Sequence, residues 1–269
     1  MRHGDPCLVD DAIENLERSR IDIHNFRIKR SEDLKTIEGV IDQSTMLTLY
    51  NLMNRNVIKT IHGVVATGKE SNVYWAQDPS ECDLAIKIYR TSTADFKRMK
   101  EYVSGDPRFK RIKGGTRSLV FTWAEKEFKN LKTAYDVGVR VPKPVVVEKN
   151  VLVMEFIGNP GVPAPRMKES PPRKPPATLK RILHYVKVLY RKAELVHADL
   201  SEYNILMWKG PVIIDVSQSV HTSHPVSKEY LKRDLKNIAK YFSSLGVSLK
   251  STPLMYEEIT GEKLAEYDW

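Results

Sequence analysis

Residues suited to metal and phosphate chemistry recur in the second half of the chain. The stretch VHADLSEYNIL (196–206) sets His197, Asp199, Ser201, Glu202 and Asn204 between apolar neighbours. Asp199 and Asn204 lie five apart, and Asp215 follows sixteen residues after Asp199 inside PVIIDVS. A carboxylate at the end of an apolar run is costly unless it binds something. Mg2+ takes oxygen ligands, a few from protein and the rest from phosphate and water. Asn204 and Asp215 can supply such oxygens, which leaves Asp199 to orient a nucleophile. Upstream, Lys87 places an ammonium inside the apolar run LAIKIY. Strand alternation would let it face water, whereas a phosphate-gripping lysine needs a carboxylate to hold it. Glu125 and Glu127 are on offer, and Glu127, beside Phe128, is the expected partner. In VVATGKESNVYWA, Gly68 between two strand-like runs permits a tight turn that brings backbone N–H groups to a phosphate. Lys69 and Ser71 add a charge and a hydroxyl there. Each feature alone has an ordinary reading: a hairpin turn, a surface lysine, an aspartate capping a turn. Their joint order points to a metal and phosphate site.

Such a site needs a frame. A helix is expected from Ser44, capped by that serine, with Leu47, Leu49, Tyr50, Leu52 and Met53 as its apolar face. Strand-like runs follow at VIKTIHGVVAT, NVYWAQD and LAIKIY. Residues 91–117 are polar, basic and glycine-containing, which predicts a long loop, partly disordered without ligand. Residues 123–138 predict a helix with Phe128, Leu131 and Tyr135 on one face and Gly138 at its end. Two strands follow, turning at Glu148–Asn150. The Pro- and Gly-rich stretch GNPGVPAPRMKESPPRKPPA reads as a linker or surface loop. Beyond it the pattern becomes helical, at 178–195 with Thr178 as cap and at 227–246, around the short apolar runs NILMW and PVIIDVS. The class is α+β.

A chain of 269 residues with 41% hydrophobic and 29% charged residues has enough core for one large domain or two lobes. No apolar run reaches the length of a membrane span. Residues 1–35 are charged and irregular and read as a mobile arm, and the first twenty lack the apolar stretch of a secretory signal. Cys7 and Cys82 are expected to be reduced thiols. The net charge of +9, clustered at 27–30, 96–100, 108–117 and 171–176, suits an anionic partner such as RNA or a nucleotide.

Taken together, ATGKESNV, LAIK, EKEF, HADLSEYN and DVS resemble the protein-kinase signature set in the same order. The departures are large. Ala66 and Ser71 stand where two loop glycines would be, Ala198 replaces the arginine, and Val216–Ser217 replace Phe–Gly. No A-P-E follows, and only 11 residues, Val216 to Val226, precede the next helix. With TGKESNVYWA, HADLSEYNIL and IIDVSQSV, this pattern resembles the RIO family of atypical kinases, most closely its first subfamily, over about 44–246.

The resemblance implies a two-lobed kinase-like α+β fold. Its expected divisions are an arm (1–43), a strand-rich N-lobe (44–157) with a flexible basic loop at 91–117, a hinge loop (158–177), and a mainly helical, truncated C-lobe (178–269). It implies an ATP-dependent serine/threonine kinase or ATPase using Mg2+, with Mn2+ as a substitute. The implied partners are precursors of the small ribosomal subunit, rRNA and proteins, in the cytoplasm. Gly68, Lys69, Glu70, Ser71 and Val73 would border the nucleotide, and Lys87, held by Glu127, would contact its phosphates. The backbones of Glu155 and Ile157 would bind adenine. Asp199 would be the catalytic base, Asn204 and Asp215 would bind metal, and Asp215 could accept phosphate covalently. Two other readings fit parts of the pattern: a non-catalytic, nucleotide-gated RNA- or ribosome-binding module, and a small-molecule phosphotransferase.

Overall fold

The computed structural model describes residues 41–263 apart from 92–95, 105, 107 and 109–114. Most of the expected arm, Cys7 and the basic run 109–114 lie outside the described residues; Cys82, expected to be a reduced thiol, is instead disulfide-bonded.

The main sheet is antiparallel, in the order β1 (Thr60–Thr67), β2 (Ser71–Gln77), β3 (Asp83–Tyr89), β5 (Val151–Glu155), β4 (Pro144–Glu148). Both faces of β3, the central strand, are covered. Leu84, Ile86 and Ile88 join Leu49, Leu52 and Met53 of α1 (Gln43–Asn54) in a small core, each worth about 1.5–3 kcal/mol of burial. Alternation sends Ala85, Lys87 and Tyr89 to the opposite face. That face is not wet, so Lys87 is only 7% exposed and its solvent-facing reading fails. The cap of α1 is Asp42, whose Oδ1 accepts the Thr45 N–H at 2.8 Å, rather than Ser44. The buried stripe is Thr45, Thr48, Leu49, Leu52 and Met53, which leaves Leu47 and Tyr50 exposed.

The expected loop at 91–117 is corrected by a helix, α2 (Phe96–Ser104), which buries Met99, Tyr102 and Val103. These three have i, i+3, i+4 spacing. Tyr102 stacks on Tyr230 with ring centroids 5.3 Å apart and meets Trp123 edge-on. The next helix, α3 (Thr116–Asp136), starts seven residues before the expected position, because Leu119 and Val120 extend its buried stripe. Gly138, at φ +86°, follows its end as expected, while Tyr135 is exposed.

The expected linker after β5 contains a small hairpin, β6 (Gly158–Asn159) with β7 (Val162–Pro163). Gly158 has φ +151°, and a Cβ there would lie 2.2 Å from the Val162 carbonyl oxygen, so only glycine fits. The loop at Gly161 rests on the Trp75 ring. The Trp75 indole donates to Asp83 Oδ1 at 2.8 Å and stacks with His62. Helix α4 (Pro175–Lys192) starts three residues before Thr178, with proline in its first turn, where the missing N–H costs nothing. Around it pack α5 (Ser227–Ser244), α6 (Thr252–Thr260) and two short ladders: β8 (Leu195–Val196) with β11 (Val220–His221), and β9 (Ile205–Met207) with β10 (Pro211–Ile213). One continuous core runs from Tyr89 and Trp123 through Ile182 and Leu235 to Tyr256.

Candidate active site

A cleft of about 630 Å3 separates the sheet from the helical part. Gly68, Ser71, Val73, Lys87, Glu127, Glu155, Ile157, Asn204 and Asp215 all line it. At its centre, Lys87 Nζ donates to both carboxylate oxygens of Glu127, at 2.9 and 2.8 Å, and to Asp215 Oδ1 at 3.0 Å. Three residues far apart in sequence thus meet at one ammonium. Glu125, the other candidate partner, pairs at the surface with Lys129 one turn along α3.

The electrostatics follow from this crowding. Burial alone would favour neutral Lys87, but the charges of Asp215 and Glu127 outweigh it and hold its pKa above the ordinary lysine value. Glu127 is pushed up to about 7, chiefly by burial, against the pull of Lys87 and with help from the charges of Asp215 and Glu70. Asp215 is lowered to about 2: burial opposes this, but the Lys87 charge and the Lys87 and Ser217 hydrogen bonds win. The Asp215 side chain is 45% exposed and so reaches the cleft. Its backbone is left-handed, φ 57° and ψ 62°, a conformation that costs a non-glycine residue about 1–3 kcal/mol and persists only where its surroundings hold it.

The loop carrying Asp199 is fixed from behind. Asp234 of α5 accepts the N–H groups of Ala198 and Leu200, both at 2.8 Å. Arg233 donates to the Ala198 carbonyl and Asn237 to that of Leu200. Ala198, at φ +67°, depends on this cradle. Asp199 Oδ2 accepts from Gln218 at 3.1 Å and Asn204 at 3.3 Å, and Asn204 Nδ2 also donates to the Asp199 carbonyl at 2.8 Å. His197 is buried, with its pKa lowered by that burial, and its Nε2 donates to the Ile214 carbonyl. It holds the loop against the residue that follows β10 and does not line the cleft.

Two of the expected residues, Lys69 and Glu70, are not among those lining the cleft. The Gly68 N–H is used inside its own turn, donating to the Ser71 carbonyl at 2.8 Å, and Gly68 does not have a positive φ. Lys69 is exposed and does not line the cleft; the Glu70 carbonyl accepts the Arg90 N–H. The Glu155 carboxylate is committed to Arg140, two bonds of 2.7 Å, and to the Lys143 N–H, so only its backbone can face a ligand. Asp234, Arg233, Gln218, Lys126 and Asn130 were not anticipated. The signal for Asp234 is its place on the buried stripe of α5 with Leu231, Leu235 and Ile238.

The donor set fits Mg2+. The Asp215 carboxylate and the Asn204 amide oxygen are hard ligands at the cleft. Among the described residues no group of three or more His, Cys, Asp or Glu could hold a metal ion, so phosphate oxygens and water would complete the coordination.

Comparisons with known proteins give the family and the fold. The family model for the RIO domain matches residues 72–254. The chain is 38% identical to the RIO-type serine/threonine-protein kinase Rio1 of Haloferax volcanii, over 94% of this chain and 88% of that protein. It is 38% identical to the Methanocaldococcus jannaschii protein of that name, over 97% and 93%. Against the human serine/threonine-protein kinase RIO1 it is 39% identical over 95% of this chain but 46% of that protein. The chain thus spans about half the length of this human relative. Among solved structures, the Rio2 kinase ADP/Mg2+-phosphoaspartate complex from Chaetomium thermophilum superposes with a TM-score of 0.64 over 97% of this chain and 77% of that one. At 21% identity that likeness shows the two-lobed fold alone.

Proposed function

Because this chain belongs to the RIO family, among its type-one serine/threonine kinases, we propose that its cleft transfers the γ-phosphoryl group of ATP. The acceptor is a protein hydroxyl, or water by way of Asp215. The observation that carries this is Lys87, buried and bridging Glu127 and Asp215 on the cleft wall. The kinase divisions follow as the working description: N-lobe 44–157, hinge 158–177, C-lobe 178–269.

The residues act as follows. Lys87 turns toward the nucleotide phosphates, with Glu127 holding its ammonium. The backbones of Glu155 and Ile157 take the adenine edge, and Val73 and the Gly68–Ser71 turn cover the sugar and phosphates. Asp215 and Asn204 would hold Mg2+, or Mn2+, whose charge offsets that of the phosphates. Asp199, oriented by Asn204 and Gln218, accepts the proton of an attacking hydroxyl. Phosphoryl transfer depends on positioning and charge more than on covalent assistance, and these contacts supply both.

A second reading of the acceptor has its own support. Only 11 residues separate Asp215 from α5, too few to build an extended platform for a free peptide. A Rio2 relative has been captured with phosphoaspartate. In this route an Asp215 oxygen forms a bond to the γ-phosphorus, the bond to the β,γ-bridging oxygen breaks, and ADP leaves. Water then releases inorganic phosphate and restores the carboxylate. We place the partner among small-ribosomal-subunit precursors, rRNA and proteins, in the cytoplasm, in keeping with the family and the net charge of +9. No described helix is long and apolar enough to cross a membrane.

The test is incubation with γ-labelled ATP, with and without small-subunit precursors, for the wild type, Asp199→Asn and Asp215→Asn. A hydroxylamine-labile label that is lost in Asp215→Asn, while that variant still binds nucleotide, supports the aspartyl-phosphate route. Label only on serine or threonine, with fast peptide phosphorylation, makes it a conventional kinase. No label and no phosphate release from the wild type in either condition would leave a nucleotide-binding module.

A further inference from the structure

Lys126 is fully buried next to Glu127 in sequence, and the mechanism above makes no use of it. Its Nζ donates to the Ser217 carbonyl at 2.8 Å and to the Ser219 carbonyl. One turn along α3, Asn130 Nδ2 donates to the Val216 carbonyl at 2.8 Å and to that of Ser219 at 3.1 Å. The turn that follows Asp215 therefore has three of its carbonyls held by one face of α3, while Glu127, on the adjoining face, lines the cleft. A buried ammonium is costly unless its hydrogen bonds repay it. Asp106, the nearest acidic influence, is itself bonded to Arg108 through both oxygens. Burial accordingly lowers the Lys126 pKa to about 7. A methionine would fill the same space without that penalty.

We propose that Lys126 and Asn130 are positioning residues, a clamp that fixes the backbone after Asp215 so that its carboxylate keeps its place when Lys87 turns to a nucleotide. The inference rests on the phosphotransferase reading for the identity of that ligand. In the present geometry Lys87 is shared by Glu127 and Asp215. Phosphates entering the cleft draw Lys87 toward themselves, and Asp215 loses its strongest side-chain contact. Among the described residues, its carboxylate would then keep the Ser217 hydroxyl as its side-chain partner. The clamp supplies a second tie between α3 and this segment that no ligand competes for. The Ser219 hydroxyl carries the tie onward by donating to the His197 carbonyl beside the Asp199 loop.

The test uses the full chain with Lys126→Met, Asn130→Leu and Lys126→Arg. Binding of a fluorescent ATP analogue is titrated in EDTA and then against Mg2+, and amide hydrogen exchange is followed across 214–220. In Lys126→Met and Asn130→Leu, metal-free affinity should hold within about twofold while the Mg2+ concentration for half-maximal binding rises roughly tenfold, the usual effect of losing a group that orients a metal ligand. Exchange at 216–219 should quicken while the β2 and β3 amides stay unchanged, and Lys126→Arg should restore most of the Mg2+ response. An unchanged Mg2+ requirement in folded variants would overturn the clamp. So would a parallel loss of metal-free and metal-dependent binding, which marks general damage to the fold. If the wild type binds no nucleotide, the phosphotransferase reading fails, and quickened or unchanged exchange at 216–219 still decides whether the clamp exists.

Discussion

Lys87 serves two carboxylates with one positive charge, and this imbalance is what a nucleotide would exploit. Lys87→Ala should lower turnover about 10³-fold, roughly 4 kcal/mol of transition-state stabilisation. Adenine binding, made by backbone, should change far less; equal turnover in the variant would remove Lys87 from the mechanism. Glu127, with its pKa pushed up to about 7, gives a pH dependence of definite sign. Below that value a protonated Glu127 no longer holds Lys87, so turnover should climb with pH through about 7, and Glu127→Gln should flatten that limb. Stability runs the other way. A carboxyl whose folded pKa is raised contributes stability that is full below its ordinary pKa and is lost as pH rises through the folded one. Thermal melts should therefore fall from about pH 4.5 to about 7 and level off above it, while turnover climbs around pH 7; turnover flat through about pH 7 would show that Glu127 does not titrate there. Lys87, Glu127, Asn204 and Asp215 were legible in the sequence because their types and order are rare together. Asp234 and Lys126 were not, since a charged residue within an amphipathic helix looks solvated until the neighbouring segment is in place.

Helix α2 shows the same difficulty over a whole element. Its sequence, FKRMKEYVS, is dominated by charge, with Met99, Tyr102 and Val103 on the buried face. Four apolar or aromatic positions in nine residues do not outweigh a glycine-containing, basic neighbourhood; the partners that stabilise the helix, Trp123 and Tyr230, come from elsewhere in the chain. Met99→Ala should cost about 2–5 kcal/mol in denaturant unfolding, as truncation in a packed core does. A change within about 0.5 kcal/mol would mean the segment behaves as the surface loop its composition suggests. The strands, by contrast, were readable from alternation and from turns at Gly68 and Glu148–Asn150. The starts of α3 and α4 were misplaced by glycine and proline, which occur at helix beginnings as well as in loops.

At the scale of the molecule, the two-lobed α+β architecture followed from the change of periodicity near residue 158. The degree of fusion did not, because the main core passes through α2 and α3 into the helical part without a break. Unfolding monitored by far-UV and near-UV circular dichroism should therefore trace one coincident transition; two separated transitions would show that the lobes are independent. Trp75 has a further consequence. Its indole lies under the Gly161 turn at the junction of the sheet and the β6–β7 hairpin, with Asp83 and His62 as fixed neighbours. Any rocking of the hairpin against β2 alters the polarity and quenching around that one ring. The protein thus carries an intrinsic optical gauge of cleft opening, readable by stopped-flow emission in a variant with its other three tryptophans replaced by phenylalanine.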